Sequence, residues 1–158
     1  MPLSFPIAFE NRMKSTLGSA WNDFLSAHDQ PSPVSIRINP GKDKLPVGIK
    51  IPWSAYGFYL PTRPVFTLDP ALHAGKYYVQ EASSMFLEQA IKQTTDLTQS
   101  LRVLDLCAAP GGKSTHLLSL LNQNSLLISN EVIRSRAQIL SENIQKWGYS
   151  NTLVTNSD

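Results

Sequence analysis

Phe9, Met13, Leu17, Trp21 and Leu25 recur at intervals of four near the start of the chain. That spacing keeps apolar side chains near one face of an α-helix, so residues 5–27 are expected to be helical. Gly18 falls inside the run and is expected to split it into two shorter helices. The stripe then reads as the packing face of a helical hairpin. The pattern changes at residue 30. Pro31, Pro33, Pro40, Pro46, Pro52, Pro61, Pro64 and Pro70 crowd the next stretch, too densely for long helices. Short strands over residues 35–39 and 58–60, joined by turns, suit it better.

A second change comes at about residue 81. Residues 81–93 form a helical pattern, 101–106 a short apolar strand, 114–122 a helix, 125–129 a strand and 133–147 a helix. That last helix carries Ile133, Ala137, Leu140, Ile144 and Trp147 on one side and is stopped by Gly148. Residues 152–155 begin a third strand. Strand, helix, strand, helix, strand with short connections is a βαβαβ unit, which winds right-handed into a parallel sheet. The fold class is therefore α/β, with a small α+β portion in front. No internal repeat or low-complexity segment interrupts it.

Composition narrows the picture only a little. A hydrophobic content of 42% over 158 residues supports a packed core, and a net charge of +2 neither demands nor excludes nucleic acid. One cysteine, Cys107, rules out an intrachain disulfide and fits a reducing cytoplasm, where the protein is expected to reside. No apolar run approaches the roughly 18 residues a membrane helix needs, so no membrane partner is expected. The first ten residues lack the pattern of a secretory signal. His28, His73 and His116 are far apart and lack metal-ligand spacing, so no metal is expected. The proline-rich stretch mixes Arg37, Lys42, Lys44, Lys50, Arg63 and Lys76 with Trp53, Tyr56, Phe58, Tyr59, Phe66, Tyr77 and Tyr78. Bases stack on aromatics and phosphates pair with cations, so an RNA surface is one reading. A β-rich core of aromatics with a solvated rim of cations is the other, and the residues alone favour it.

The most informative stretch is Leu104-Asp105-Leu106-Cys107-Ala108-Ala109-Pro110-Gly111-Gly112-Lys113-Ser114, where a strand runs through a turn of small residues into a helix. In open α/β sheets ligands sit at the carboxyl ends of the strands. Ala108, Ala109, Gly111 and Gly112 leave room for close approach, and the N–H groups opening the next helix favour a carboxylate or phosphate. The phosphate loop of nucleotide hydrolases would need a glycine where Cys107 stands, and the dinucleotide pattern of three glycines is absent. Glu131, about 20 residues after the glycines at the end of the second strand, suits a carboxylate that accepts from ribose hydroxyls. A ribose with an acidic or zwitterionic end is implied. S-adenosylmethionine fits, and so do other nucleosides. Asp105 could equally bond its own turn, Lys113 could be solvated, and Glu131 could be an ordinary strand-end carboxylate.

Asp105-Leu-Cys-Ala-Ala-Pro-Gly-Gly-Lys113 resembles the first motif of the Sun/RsmF-type RNA (cytosine-5-)methyltransferases. Gln80-Glu81-Ala82-Ser83-Ser84-Met85 resembles the segment that precedes it there, and Pro33-Val34-Ser35-Ile36-Arg37-Ile38-Asn39-Pro40 resembles the N-terminal domain, especially of the ribosomal-RNA branch. The resemblance covers most of the chain. It implies a small α+β domain over residues 1–78 that contacts RNA, followed by the first βαβαβ part of a Rossmann-like S-adenosyl-L-methionine-binding methyltransferase domain over residues 79–158. It implies that Cys107, Ala108, Ala109, Pro110, Gly111, Gly112 and Lys113 wrap the methionine part of the cofactor, that Glu131 holds the ribose and that Asp158 reads the adenine amino group. Arg136 would hold the loop without touching the ligand.

Carbon 5 of cytosine is too electron-poor to accept a methyl group unaided. A cysteine thiolate adds to carbon 6, carbon 5 then attacks the methyl sulfonium, and a base removes the carbon-5 proton before the thiolate leaves. In the family resembled, that cysteine lies beyond the third strand, so no catalytic residue is expected here and the fragment alone is expected to be inactive. Cys107 is read as a buried, inert thiol. Three strands with two helices leave an open sheet edge, so marginal stability, association, or covering by the N-terminal part is expected. The competing reading is a non-catalytic RNA- or nucleoside-binding module; a small-molecule or protein methyltransferase on the same sheet is weaker.

Overall fold

The computed structural model describes residues 5–42 and 48–158. Lys44 and Pro46 lie outside the described residues. Backbone packing divides the chain into two compact units, one ending at Pro33 and the other spanning Val34–Asp158.

In the first unit α1 (Ile7–Leu17) ends where Gly18 takes a φ of 53°, and one tight turn leads into α2 (Trp21–His28). A positive φ there suits glycine and little else, which is why the four-residue stripe bends at that point. The stripe closes on an aromatic cluster: Trp21 stacks on Phe24 at 5.5 Å, and Phe5 and Phe9 pack together at 5.1 Å.

The second unit opens with an antiparallel sheet built from β1 (Val34–Ile38), β2 (Ile49–Lys50), β3 (Gly57–Leu60) and, after the single-turn α3 (Pro70–His73), β4 (Tyr77–Val79), in the order β2-β3-β1-β4. α3 starts as its sequence allows, with Pro70 in the first turn and the Asp69 carboxylate accepting from the Ala71 N–H at 2.8 Å. Along β1 the side chains alternate. Ile36 and Ile38 pack with Phe58 on one face, and Ser35, Arg37 and the following Asn39 are buried on the other.

Residues 81–93 are helical in two steps, a 3₁₀ turn over Ser83–Phe86 and then α4 (Leu87–Thr94). The Ala82 carbonyl is bonded by the Trp53 indole at 2.6 Å and by the Met85 N–H at 3.1 Å, a three-residue reach that tightens the entry.

The parallel sheet follows: β5 (Arg102–Asp105), α5 (Gly112–Leu120), β6 (Leu126–Asn130), α6 (Arg134–Trp147) and β7 (Thr152–Thr155), with strand order β5-β6-β7. Gly148 ends α6 with a φ of 82°. This is the α/β class and the βαβαβ order expected. Leu117, Leu118, Leu127, Leu140, Ile144 and Trp147 form the core between the helices and one sheet face. The other face carries Leu104, Ile128 and Leu153 in register, with Leu104 57% and Leu153 56% exposed. Arg37 of β1 bonds to α5 and the following Asn39 to the end of α6, so the covering supplied by the N-terminal sheet goes to the helices; on the other strand face Ile128 is half-buried and Leu104 and Leu153 stay exposed.

Candidate functional site

The turn between β5 and α5 is tied back into the protein at almost every carbonyl. The Ala108 N–H donates to Asn130 O at 2.9 Å, and Gly111 N–H to Ala108 O at 2.8 Å. Arg136 Nη2 donates to Ala109 O at 3.0 Å; Asn143 Nδ2 at 2.7 Å and the Tyr78 hydroxyl at 3.3 Å both donate to Pro110 O. The Ala109–Pro110 peptide is cis. The N–H groups of Gly112, Lys113 and Ser114 open α5 and have no intrahelical partner, whereas the Thr115 N–H already donates to Gly111 O at 2.9 Å. Asp105 Oδ2 accepts from Ser114 Oγ at 2.7 Å, fixing the strand end to that first turn.

Smallness at this turn serves the protein first. Ala108 and Ala109 are buried in the core. Gly111 has a φ of 108°, and a Cβ there would lie 3.4 Å from Leu140 Cδ1; one on Gly112 would lie 3.4 Å from the Tyr78 ring. Lys113 and Pro110 are exposed. Cys107 is exposed as well, which corrects the expectation of a buried thiol: β5 ends at Asp105, and Cys107 sits on the turn beyond the sheet.

Glu131 follows β6 directly and is 3% exposed. Its Oε1 accepts from the Ile133 N–H at 3.1 Å, and Arg136 Nη1 lies 3.5 Å from its Oε2. Arg136 thereby joins Glu131 to the Ala109 carbonyl and brings the two halves of the predicted site together. Beyond β7, Asn156 Nδ2 donates to Glu131 O at 2.6 Å and to Val132 O at 2.9 Å, and Ser157 exchanges bonds with the Asn130 side chain. Asp158 is exposed and follows this pinned segment, at the same end of the sheet as Glu131. Leu106, Val132 and Ile133 are exposed apolar residues at the ends of β5 and β6.

The polar residues behind the turn carry the larger surprise. Arg37 is fully buried, with its side chain against the inner end of α5. Its Nε donates to Gln80 Oε1 at 2.8 Å, Nη1 to Thr115 O at 3.2 Å and Ser119 Oγ at 3.0 Å, and Nη2 to Thr115 Oγ1 at 2.6 Å and Gly112 O at 3.3 Å. The guanidinium also lies 4.6 Å from the Trp147 ring centre. Burial lowers its pKa to about 9, which still leaves it protonated at neutral pH. Asn39 Nδ2 donates to Gly75 O and Trp147 O, both at 2.9 Å, fastening the same strand to the end of α6. A second buried group, Glu88, accepts from Ser54 Oγ and Ala55 N–H at 3.0 Å, Lys92 Nζ at 2.5 Å and His116 Nε2 at 3.1 Å. Sequence patterns gave no sign of Asn130, Asn143, Asn156 or Glu88 as structural ties. Arg37 stood only as one cation among several, because a buried arginine and a surface one look alike in a sequence.

The arrangement provides helix-opening N–H groups for an anionic end, a carboxylate with spare acceptor capacity on Oε2 for a diol, and exposed apolar residues for a flat ring. These residues fit an adenosine bearing an amino-acid tail.

Two family models match the chain: the N-terminal domain of 16S rRNA methyltransferase RsmF over residues 5–82, and 16S rRNA methyltransferase RsmB/F over residues 92–158. Ribosomal RNA small subunit methyltransferase F of Pectobacterium atrosepticum is 34% identical over 99% of this chain and 36% of its own length. The Escherichia coli O1:K1 protein of the same name is 34% identical over 98% of this chain and 35% of its own. The chain thus spans about a third of the length of these relatives. Among solved structures, a methyltransferase homolog protein from Pyrococcus horikoshii is similar with a TM-score of 0.81 and 26% identity, over 98% of this chain and 53% of that one.

Proposed function

We propose, for a chain that belongs to the RsmB/F family of 16S rRNA methyltransferases, that the carboxyl ends of β5, β6 and β7 hold S-adenosyl-L-methionine. The complete protein methylates carbon 5 of a cytosine in ribosomal RNA. The observation that carries this reading is the link from the Ala109 carbonyl through Arg136 to Glu131, which sets the glycine turn and a buried carboxylate on one crevice. Cys107, Ala108, Ala109, Pro110, Gly111, Gly112 and Lys113 surround the methionine part, whose carboxylate meets the N–H groups opening α5. Glu131 accepts from the ribose hydroxyls, and Asp158 reads the adenine amino group.

When bound, the cofactor supplies an electrophilic methyl group. The chain's own residues orient that group and hold the nucleoside; Cys107 is part of the cradle and has no role as nucleophile. Residues 1–78 contact the RNA. The 158-residue chain binds cofactor without completing transfer, and it works in the cytoplasm.

The test is calorimetric titration of S-adenosyl-L-methionine into this chain beside Gly112→Asp. The new side chain would crowd Tyr78 and place a negative charge at the helix opening. Saturable binding that the variant loses supports the reading. A folded chain that binds no cofactor would overturn it for these residues.

A further inference from the structure

We infer that Arg37 is a positioning residue for the cofactor's carboxylate, acting from behind through the first turn of α5. The inference rests on the cofactor site proposed above and goes beyond it, because Arg37 lies in the N-terminal sheet and reaches the cradle only from behind, at the Gly112 carbonyl.

Burying a guanidinium is costly unless its charge is used or balanced, and an apolar residue of similar volume usually serves packing better. Among the described residues its five hydrogen-bond contacts are to neutral acceptors, three of them on Gly112 and Thr115 in the opening turns of α5. The carboxylate whose field reaches it, Glu88, is itself engaged by Lys92 and His116. Arg37 therefore places a positive charge alongside α5, reaching from Ser119 to Gly112, and adds to the positive end of the helix dipole at that opening turn. The Gly112 carbonyl belongs to the same peptide unit as the Lys113 N–H. Donation into that carbonyl polarises the unit and makes its N–H a stronger donor on the opposite side. Both effects favour an anion at the turn and disfavour a cation.

The experiment measures binding of S-adenosylhomocysteine and of its decarboxylated amine, which keeps the adenosine, thioether and ammonium, to the 158-residue chain and to Arg37→Gln and Arg37→Lys. For Arg37→Gln we expect S-adenosylhomocysteine to bind about tenfold more weakly, as loss of one charge through a partly shielding medium would give. The amine should bind as before or more tightly. Arg37→Lys keeps the charge and loses the fork, so it should retain the preference for the carboxylate ligand while unfolding at lower temperature. Equal weakening of both ligands would show a purely structural role and overturn the inference. If Arg37→Gln does not fold, Arg37→Lys decides: a folded variant that has lost the preference overturns it. If the unmodified chain binds neither ligand, the cofactor site falls first, an outcome distinct from a bound but indifferent one.

Discussion

His116 Nε2 lies 3.1 Å from Glu88 Oε2, with both side chains out of contact with water. The Glu88 carboxylate can only accept, so the imidazole donates from Nε2. The pair fastens α4 to α5, and Ser54 and Ala55 bring the β2–β3 loop to the same carboxylate. Burial alone would push the Glu88 carboxyl up, but the bonds from His116, Lys92, Ala55 and Ser54 together outweigh it and hold the pKa at about 2. Burial likewise pushes the His116 imidazole below its usual 6.5, against the opposing pull of Glu88.

Both shifts make acid the destabilising direction. Glu88 contributes stability above its unfolded value of 4.5, lost as pH falls toward about 2. His116 contributes above 6.5, and its share fades as pH falls below that. Denaturant unfolding followed by circular dichroism between pH 7 and pH 2.5 should show falling stability, and Glu88→Gln should flatten the acid part. The same variant at pH 7 should lose roughly 3 kcal/mol, the usual scale for breaking a buried pair. An unchanged acid limb in Glu88→Gln would count against the assignment.

Glu131→Gln tests the ribose contact. It keeps the shape and can still accept from Ile133, but it loses the charge. Hydrogen bonds to a charged acceptor contribute about 1.5–3 kcal/mol, so cofactor affinity should fall roughly 10- to 100-fold. Calorimetry with unaltered thermal unfolding would separate this from misfolding.

Gly111 is the position where the turn needs a left-handed backbone, with a φ of 108°. Gly111→Ala should destabilise the chain by roughly 1–2 kcal/mol through that backbone strain, with the new Cβ in ordinary contact 3.4 Å from Leu140 Cδ1. Gly112→Ala has no such φ and should cost less. Comparing their chemical unfolding midpoints checks the order.

The apolar row of exposed Leu104 and Leu153 with half-buried Ile128 between them should make this chain associate as concentration rises, because exposed apolar surface on a sheet invites association. Sedimentation velocity should show that the double variant Leu104→Lys, Leu153→Lys shifts the distribution toward monomer. A chain that stays monomeric at every concentration would refute this.

The elements from residue 101 onward were legible because each is set locally: a run of apolar residues, a glycine, a change of period. β5, β6, β7, α5 and α6 lie within one or two residues of their expected ends. β2 and β4 were not legible, since two or three residues become a strand only when β3 and β1 are there to pair with them. The turn and Glu131 could be read for the same local reason. Their supports could not: Asn130, Asn143 and Arg37 act across separations of 27, 33 and 75–82 residues. The exposure of Cys107 was missed because a lone cysteine in an apolar run looks like core.

The bonds from β1 to α5 and α6 also limit how this chain can be recombined. Arg37 is matched to Thr115 and Ser119, and Asn39 to the carbonyl that ends α6. A chimera that took the segment around β1 from another protein would place a foreign side chain against those groups and remove the donors that Arg37 and Asn39 supply to them. Position 37 and positions 115 and 119 form one unit of exchange, and a graft will succeed only when all three travel together.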